Sequence, residues 1–226
     1  MRTPPAMRRC ATTLEGEMTP VEHAFLVDLL KREKFDGPHL EIGTAAGGTL
    51  CAMMRCFDDD HRPQFVVVDR MTYFPDQLEA IETNLRRHGL DPVKVDFRIA
   101  TSNSAFRAAQ DRGEAFDFIL LDGGHKILNV MADLRWARLL HVGGMICLHD
   151  YIAKFPGVKL SVDRFLAGHP HFHVLGQAGS LIALQKVSTG RRPEVSAGDH
   201  AYALAMHLPL LTRRKLEKWR GQRRAA

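Results

Sequence analysis

Short apolar segments alternate with longer segments of helical spacing along most of this chain. A strand that is apolar throughout is typical of a parallel sheet whose two faces are both covered by helices. The segments that predict strands lie near residue 40 and at 65–69, 93–99, 116–122, 145–150, 171–175 and 180–185. Their alternation with helical segments predicts an α/β fold with a doubly wound, mostly parallel sheet.

The segments between these strands have the spacing of amphipathic helices. The first helix is predicted to begin at a capping box, Thr19-Pro20-Val21-Glu22, with proline at its first position. The residues predicted to share its buried face are Val21, Ala24, Phe25, Leu29 and Leu30. Further helices are predicted at 50–57, from about residue 75 to 89, and at 127–140, 158–167 and 202–219.

A glycine-rich turn, Glu41-Ile42-Gly43-Thr44-Ala45-Ala46-Gly47-Gly48-Thr49, joins the first strand to the next helix. Glycines let the backbone approach a ligand closely, and the free N–H groups of the helix point into the same space. A dinucleotide site would need glycine at position 45, and a phosphate loop would need lysine at position 49. Both patterns fit poorly, although the turn still predicts a cofactor site.

Ionisable side chains end the apolar strands at Glu41, Asp69, Asp122, His149 and Asp150. In an open parallel sheet, ligands bind outside the carboxyl ends of the strands, so we expect these side chains to surround one site. Asp69 lies about twenty residues after the glycines. In nucleotide-binding βαβ units, an acid at this spacing accepts hydrogen bonds from the ribose hydroxyls. The small polar segment 100–104, at the end of the third strand, is expected to form hydrogen bonds with the edge of the cofactor's nucleobase.

Composition is that of an ordinary globular domain, with 45% hydrophobic and 25% charged residues among 226. The four cysteines form no C-x-x-C pair, which predicts reduced thiols, no disulfides and a cytoplasmic location. We expect no signal peptide and no membrane span. The net charge of +5 comes largely from the tail 213–224, so no nucleic-acid partner is expected.

Taken together, the motifs resemble those of class I S-adenosylmethionine (SAM)-dependent methyltransferases over residues 15–187. The motifs are Glu41-x-Gly43-x-x-x-Gly47, Asp69, Asp122-Gly-x-His125 and His149-Asp150. The resemblance implies a seven-stranded sheet in the order 3-2-1-4-5-7-6 with the seventh strand antiparallel. Residues 1–14 are then a basic extension, and 188–226 a linker with a basic C-terminal helix.

The cofactor implied by the resemblance is SAM, whose sulfonium and amino acid suit an acid better than a phosphate-binding lysine. The residues expected to bind it are Glu41, Gly43, Thr44, Gly47, Asp69, Ser102 and Asp122.

Within this family, Asp122, His149 and Asp150 resemble the metal-binding residues of the small-molecule O-methyltransferases grouped with macrocin, rhamnosyl and cephalosporin-pathway enzymes. Many of those relatives have an acid where His149 stands. The imidazole makes Mn²⁺ or Fe²⁺ an alternative to Mg²⁺. A histidine that only forms hydrogen bonds beside the site is the alternative interpretation of His149.

Several sugar-modifying relatives carry an aspartate, proposed as the base, at the position of Gly124, so that role must move or be absent here. The base implied by the resemblance is His125, which lies three residues after Asp122, where catechol-type relatives often carry a lysine. Lys126 is a competitor that would need strong burial to lose its proton. The function predicted is methyl transfer from SAM to a hydroxyl of a small molecule, either a sugar or a natural-product scaffold. A metal-dependent hydroxylase and a non-catalytic SAM-binding scaffold remain alternatives, and a homo-oligomer is left open.

Overall fold

The structure is a computed structural model that describes residues 18–32, 35–190 and 194–224, with side chains up to residue 212. Seven strands form one sheet in the order β3-β2-β1-β4-β5-β7-β6. The first five strands are parallel, and β7 is antiparallel to both β5 and β6. The strands are β1 His39–Ile42, β2 Phe65–Asp69, β3 Val95–Ile99, β4 Phe116–Leu121, β5 Leu140–Leu148, β6 Phe172–Ala178 and β7 Leu181–Lys186. The predicted fold class and strand order are confirmed.

Helices cover both faces of this sheet. They are α1 Pro20–Arg32, α2 Gly48–Met54, α3 Gln77–Arg87, α4 Ser102–Asp111, α5 Ile127–Asp133, α6 Pro156–Gly168 and α7 Ala197–Arg224. Side chains alternate across each strand, so one set packs with α1–α3 and the other with α4–α7. In β2, for example, Val67 belongs to the first layer and Val66 to the second. This double coverage explains why the strands are apolar throughout.

The first helix begins at the predicted capping box, although its buried face differs from the prediction. The Thr19 backbone N–H donates to Oε2 of Glu22 over 2.7 Å, and the Glu22 N–H donates to Oγ1 of Thr19 over 3.4 Å. Val21 is 64% exposed, whereas Leu26 is fully buried. The first turn therefore directs Glu22 rather than Val21 toward the sheet.

Several predicted boundaries were wrong. Pro92–Lys94 form a 3₁₀ turn, because the Asp91 carboxylate accepts a hydrogen bond from the Val93 N–H, and β3 begins only at residue 95. The predicted helix 127–140 ends at residue 133 and continues as a second 3₁₀ segment, Leu134–Leu139. β5 begins at residue 140, before the glycine pair, and α7 begins at residue 197 rather than 202.

Cys51, Cys56 and Cys147 are free thiols, as predicted. Cys10 and the basic extension 1–14 lie outside the described residues, as do the side chains of the basic tail 213–224. Among the helices described, none combines the length and the apolar character needed to cross a membrane.

Candidate active site

A cavity of about 630 Å³ opens at the carboxyl edge of the sheet, above β1, β2 and β4. Its volume lies in the range of about 300–1,000 Å³ that is usual for small-molecule sites. The predicted cofactor residues that line it are Glu41, Gly43, Thr44, Asp69, Ser102 and Asp122. Gly47 is not among the lining residues, whereas its neighbours Gly48 and Thr49 are.

The glycine-rich turn lies directly against the end of β4. Gly43 has a φ of +84°, and a Cβ there would lie 2.6 Å from the carbonyl oxygen of Asp122. Only glycine tolerates both the conformation and the close approach. Gly47, with a φ of +80°, precedes the first turn of α2, where a Cβ would meet Ile81 at 3.0 Å. Its role in the structure is therefore to let the turn enter the helix.

Asp69 ends β2 and holds the glycine-rich turn in place. Its Oδ2 accepts a hydrogen bond from the Thr44 N–H over 2.9 Å, and its Oδ1 accepts one from the Met71 N–H over 2.6 Å. The carboxylate also lines the cavity. Contact with a ribose remains a prediction, but the side chain is placed where such a contact is available.

Glu41 is a buried carboxyl group beside the same cavity. It is 1% exposed, and its Oε2 has no hydrogen-bond partner within the described structure. Burial, with the nearby charges of Asp122 and Asp69, raises the pKa of Glu41 well above its usual range. A neutral carboxyl group with an unsatisfied oxygen fits a donor supplied by a ligand.

The far wall of the cavity contains a polar group that the sequence analysis missed. Asp133, on α5, lines the cavity and is almost fully buried. Burial raises its pKa to about 6, in spite of a hydrogen bond with Ser102. The Trp136 Nε1–H donates to Oγ of Ser102 over 3.0 Å. Helical spacing from Ile127 and Val130 could have indicated that position 133 points inward.

The three predicted metal-binding residues meet next to this cavity. The backbone N–H of Asp122 donates to Ile42 and that of His149 to Leu121, so the pairing of the strands continues past their ends. One ligand atom from each of Asp122, His149 and Asp150 lies within 4.8 Å of the others. Asp150 has a φ of +63°, a strained conformation for a residue with a side chain.

Charges around His149 favour its protonated form in the absence of a metal. Its Nδ1 lies 2.9 Å from Oδ1 of Asp122 and 3.8 Å from Oδ2 of Asp150. Burial alone would lower the pKa of His149, but the hydrogen bond with Asp122 and the charges of Asp122, Asp150 and Glu22 raise it to about 9. The cluster formed by Asp122, His149 and Asp150 therefore attracts positive charge.

His125 lies at the junction of the cavity and the cluster. It lines the cavity, is 41% exposed, and its Nε2 lies 2.6 Å from Oδ2 of Asp150. A Cβ on Gly124 would come within 2.5 Å of the Asn129 side-chain amide, so an aspartate there would have to displace Asn129.

Glu22 is a further member of the cluster that the sequence analysis did not assign to the site. It is 3% exposed, and its Oε2 lies 3.6 Å from Nε2 of His149. In the sequence it appears only as the acid of a capping box, a local role that gives no sign of a partner 127 positions away.

Comparison with known proteins supports the fold and the family. The model of a methyltransferase domain family matches residues 40–151. No curated protein sequence matches the chain.

Among solved structures, the cofactor-bound protein Rv0187 from MTB is 17% identical, with 81% of this chain and 89% of that chain covered and a TM-score of 0.64. The Bacillus cereus O-methyltransferase in complex with SAH is 19% identical, with 82% and 93% covered and a TM-score of 0.62. TomG from Streptomyces achromogenes, an O-methyltransferase of tomaymycin synthesis in complex with SAM, is 15% identical, with 83% and 92% covered and a TM-score of 0.63.

These likenesses show a shared fold. With the matched domain, the strand order and the cavity at the glycine-rich turn, they lead to one conclusion: the chain belongs to the class I SAM-dependent methyltransferases.

Proposed function

We propose that the protein transfers the methyl group of SAM to a hydroxyl of a small molecule, with a divalent cation held by Asp122, His149 and Asp150. The observation that carries the proposal is the position of Asp122, which lines the cofactor cavity and also contacts His149. A cation bound there would lie beside the cofactor. The O-methyltransferase neighbours from Bacillus cereus and Streptomyces achromogenes agree with an oxygen acceptor.

Cofactor binding is assigned to the cavity wall. The glycine-rich turn and Asp69 form one side, and the unsatisfied oxygen of Glu41 is available to an amino group. Ser102 and Asp133 supply polar contacts on the opposite side. SAM supplies the methyl group, which is bound to its sulfonium sulfur. After the transfer this sulfur is part of a neutral thioether. The chain's own contribution is to bind and orient both reactants and to exclude water.

The donor set fits a divalent cation. Two carboxylates and one imidazole, with ligand atoms within 4.8 Å, suit Mg²⁺, and the imidazole also suits Mn²⁺ or Fe²⁺. When bound, such an ion would stabilise the charge that develops on the acceptor oxygen. The cluster's attraction for positive charge agrees with this assignment.

His125 is proposed as the base. Its Nε2 faces Oδ2 of Asp150 at 2.6 Å, so an Nε2–H donated to Asp150 leaves Nδ1 as the basic atom. The hydroxyl proton would pass to this nitrogen while the acceptor oxygen takes the methyl group. Contact of the ring with Phe155, at 4.5 Å between centroids, limits its movement.

The test is release of S-adenosylhomocysteine with a panel of sugars and hydroxylated natural-product scaffolds, in Mg²⁺, in Mn²⁺ and after EDTA. We expect release only with an acceptor, together with a product 14 mass units heavier, the mass that a methyl group adds when it replaces hydrogen. A product that gains oxygen without this release would support the hydroxylase instead. SAM binding without turnover on any acceptor would support the scaffold.

We also propose a cytoplasmic location, based on the free thiols of Cys51, Cys56 and Cys147. The domain limits 15–187 and the oligomeric state remain predictions. Light scattering on the full chain and on a 15–187 fragment would test both.

A further inference from the structure

Glu22 is more firmly held than its role as a helix cap requires. Its Oε1 accepts hydrogen bonds from both the N–H and the hydroxyl of Ser180, each over 2.6 Å. Its Oε2 accepts from the N–H and the hydroxyl of Thr19, over 2.7 and 2.9 Å. The carboxylate is thus fixed by α1 on one side and by the turn between β6 and β7 on the other.

The turn is built to receive this carboxylate. Gly179 has a φ of +56°, and a Cβ there would lie 2.6 Å from Oε1 of Glu22. The carbonyl oxygen of the next residue, Ser180, accepts a hydrogen bond from the Tyr151 N–H over 2.8 Å. Glu22 is therefore tied through Ser180 to the segment that directly follows Asp150.

The His149 ring lies between Glu22 and the two aspartates. Its Nε2 is 3.6 Å from Oε2 of Glu22, and its Nδ1 is 2.9 Å from Asp122 and 3.8 Å from Asp150. A histidine that binds a metal usually presents one nitrogen to the ion and donates the other N–H to a carboxylate, which fixes the tautomer and the ring orientation.

We propose that Glu22 is a positioning residue for the cation site, which holds His149 with Nε2–H toward α1 and Nδ1 toward the ion. The inference rests on the proposed cation site and adds a residue from outside the matched domain, which begins at residue 40. It also gives the docking of α1 a role in the chemistry.

Binding of Mn²⁺ alone to the full chain, followed by electron paramagnetic resonance, tests the proposal in Glu22→Gln. Glutamine keeps the length of the side chain and an oxygen for Ser180, but loses the charge. Asp28→Asn is the matched control, since Asp28 is an acid on the same helix with its side chain 47% exposed and paired with Arg32. We expect Mn²⁺ affinity to fall 10- to 100-fold in the first variant and to change less than twofold in the control. Equal affinity in Glu22→Gln and the parent would overturn the proposal.

Two further measurements separate positioning from other roles. In a His149→Ala background, Glu22→Gln should cause no additional loss of Mn²⁺ affinity, and a further tenfold loss would show that Glu22 acts without His149. Nitrogen NMR of the Mg²⁺-loaded parent, with His149 identified by its absence from the His149→Ala spectrum, should show the Nε2-protonated tautomer. The Nδ1-protonated tautomer would refute the proposal without relying on the folding of any Glu22 variant.

Failure of the cation site and failure of the positioning role give different results. A parent protein that binds no Mn²⁺ at millimolar concentration would overturn both the cation part of the proposed function and this inference. Mn²⁺ binding that Glu22→Gln leaves unchanged would overturn only the role of Glu22.

Discussion

Replacing Asp69 by alanine is expected to weaken SAM binding by about 1.5 to 3 kcal/mol. This is the usual worth of hydrogen bonds to a charged group, and at about 1.4 kcal/mol per tenfold it corresponds to about a 10- to 150-fold higher Kd. Two effects contribute, because Asp69 is expected to accept hydrogen bonds from the ribose and does accept them from the backbone N–H groups of Thr44 and Met71. Titration calorimetry of the full chain with SAM measures the total.

Asp117 offers a matched control at the opposite end of the sheet. Its carboxylate also accepts hydrogen bonds from two backbone N–H groups, those of Asp36 and Gly37, over 3.1 and 2.5 Å. Asp117→Ala therefore removes one charge and two backbone hydrogen bonds, as Asp69→Ala does, but far from the cavity. It also removes the contact of Oδ1 with Nδ1 of His141 at 2.6 Å, so its loss of stability is expected to be at least as large. We expect both variants to lose thermal stability and only Asp69→Ala to lose affinity for SAM.

The comparison has a clear refuting result. If Asp69→Ala binds SAM as tightly as the parent, the carboxylate neither contacts the ribose nor holds the turn in its binding conformation. If Asp117→Ala loses as much affinity as Asp69→Ala, the loss reflects general destabilisation, and the assignment of Asp69 to the cofactor has no support.

Three further predictions concern the base, the cation and the core. His125→Ala should lower kcat by about 10²-fold or more in a steady-state assay while calorimetry shows unchanged SAM affinity, and a retained kcat would place the base elsewhere. EDTA should abolish release of S-adenosylhomocysteine and Mg²⁺ or Mn²⁺ should restore it; full activity after exhaustive chelation would contradict the cation site. Burial lowers the pKa of His39 from 6.5 to about 4. Between these two values the imidazole stays neutral in the folded protein but takes up a proton in the unfolded chain, so the free energy of unfolding falls as the pH drops from about 6.5 to 4. At about 1.4 kcal/mol per pKa unit the loss reaches about 3 kcal/mol, and His39→Phe should remove it in urea unfolding at pH 7 and 4.5; equal acid sensitivity of parent and variant would refute this account.

The fold could be predicted because its information is local. Each parallel strand is an apolar run covered on both faces, and glycine and the capping box mark where elements begin. The helix predicted at 127–140 was wrong because of a distant contact. The Lys186 ammonium on β7 donates to the carbonyl oxygens of Ala137 and Leu140 over 3.0 and 2.8 Å, and these oxygens belong to the 3₁₀ segment and its end. No pattern within 127–140 indicates that donor.

In the candidate site too, the residues placed by the strand pattern could be predicted, whereas those placed by packing between distant segments could not. Asp69, Asp122 and Asp150 could be placed together because parallel strands bring their carboxyl ends to one edge. Asp133 lies within a helix, so its presence in the cavity depends on how α5 packs against the sheet.

Glu22 changes the electrostatic interpretation of the histidine at position 149. From the sequence, an imidazole where many relatives have an acid lowers the negative charge of the cluster. In the structure, Glu22 brings a carboxylate from α1 to within 3.6 Å of the ring, so three carboxylates surround His149. The cluster therefore keeps the negative charge that a divalent cation needs, but one of its carboxylates comes from a helix that precedes the matched domain. At the proposed cation site, the affinity for a cation is therefore expected to depend on the docking of α1, which the sequence of the domain alone does not determine.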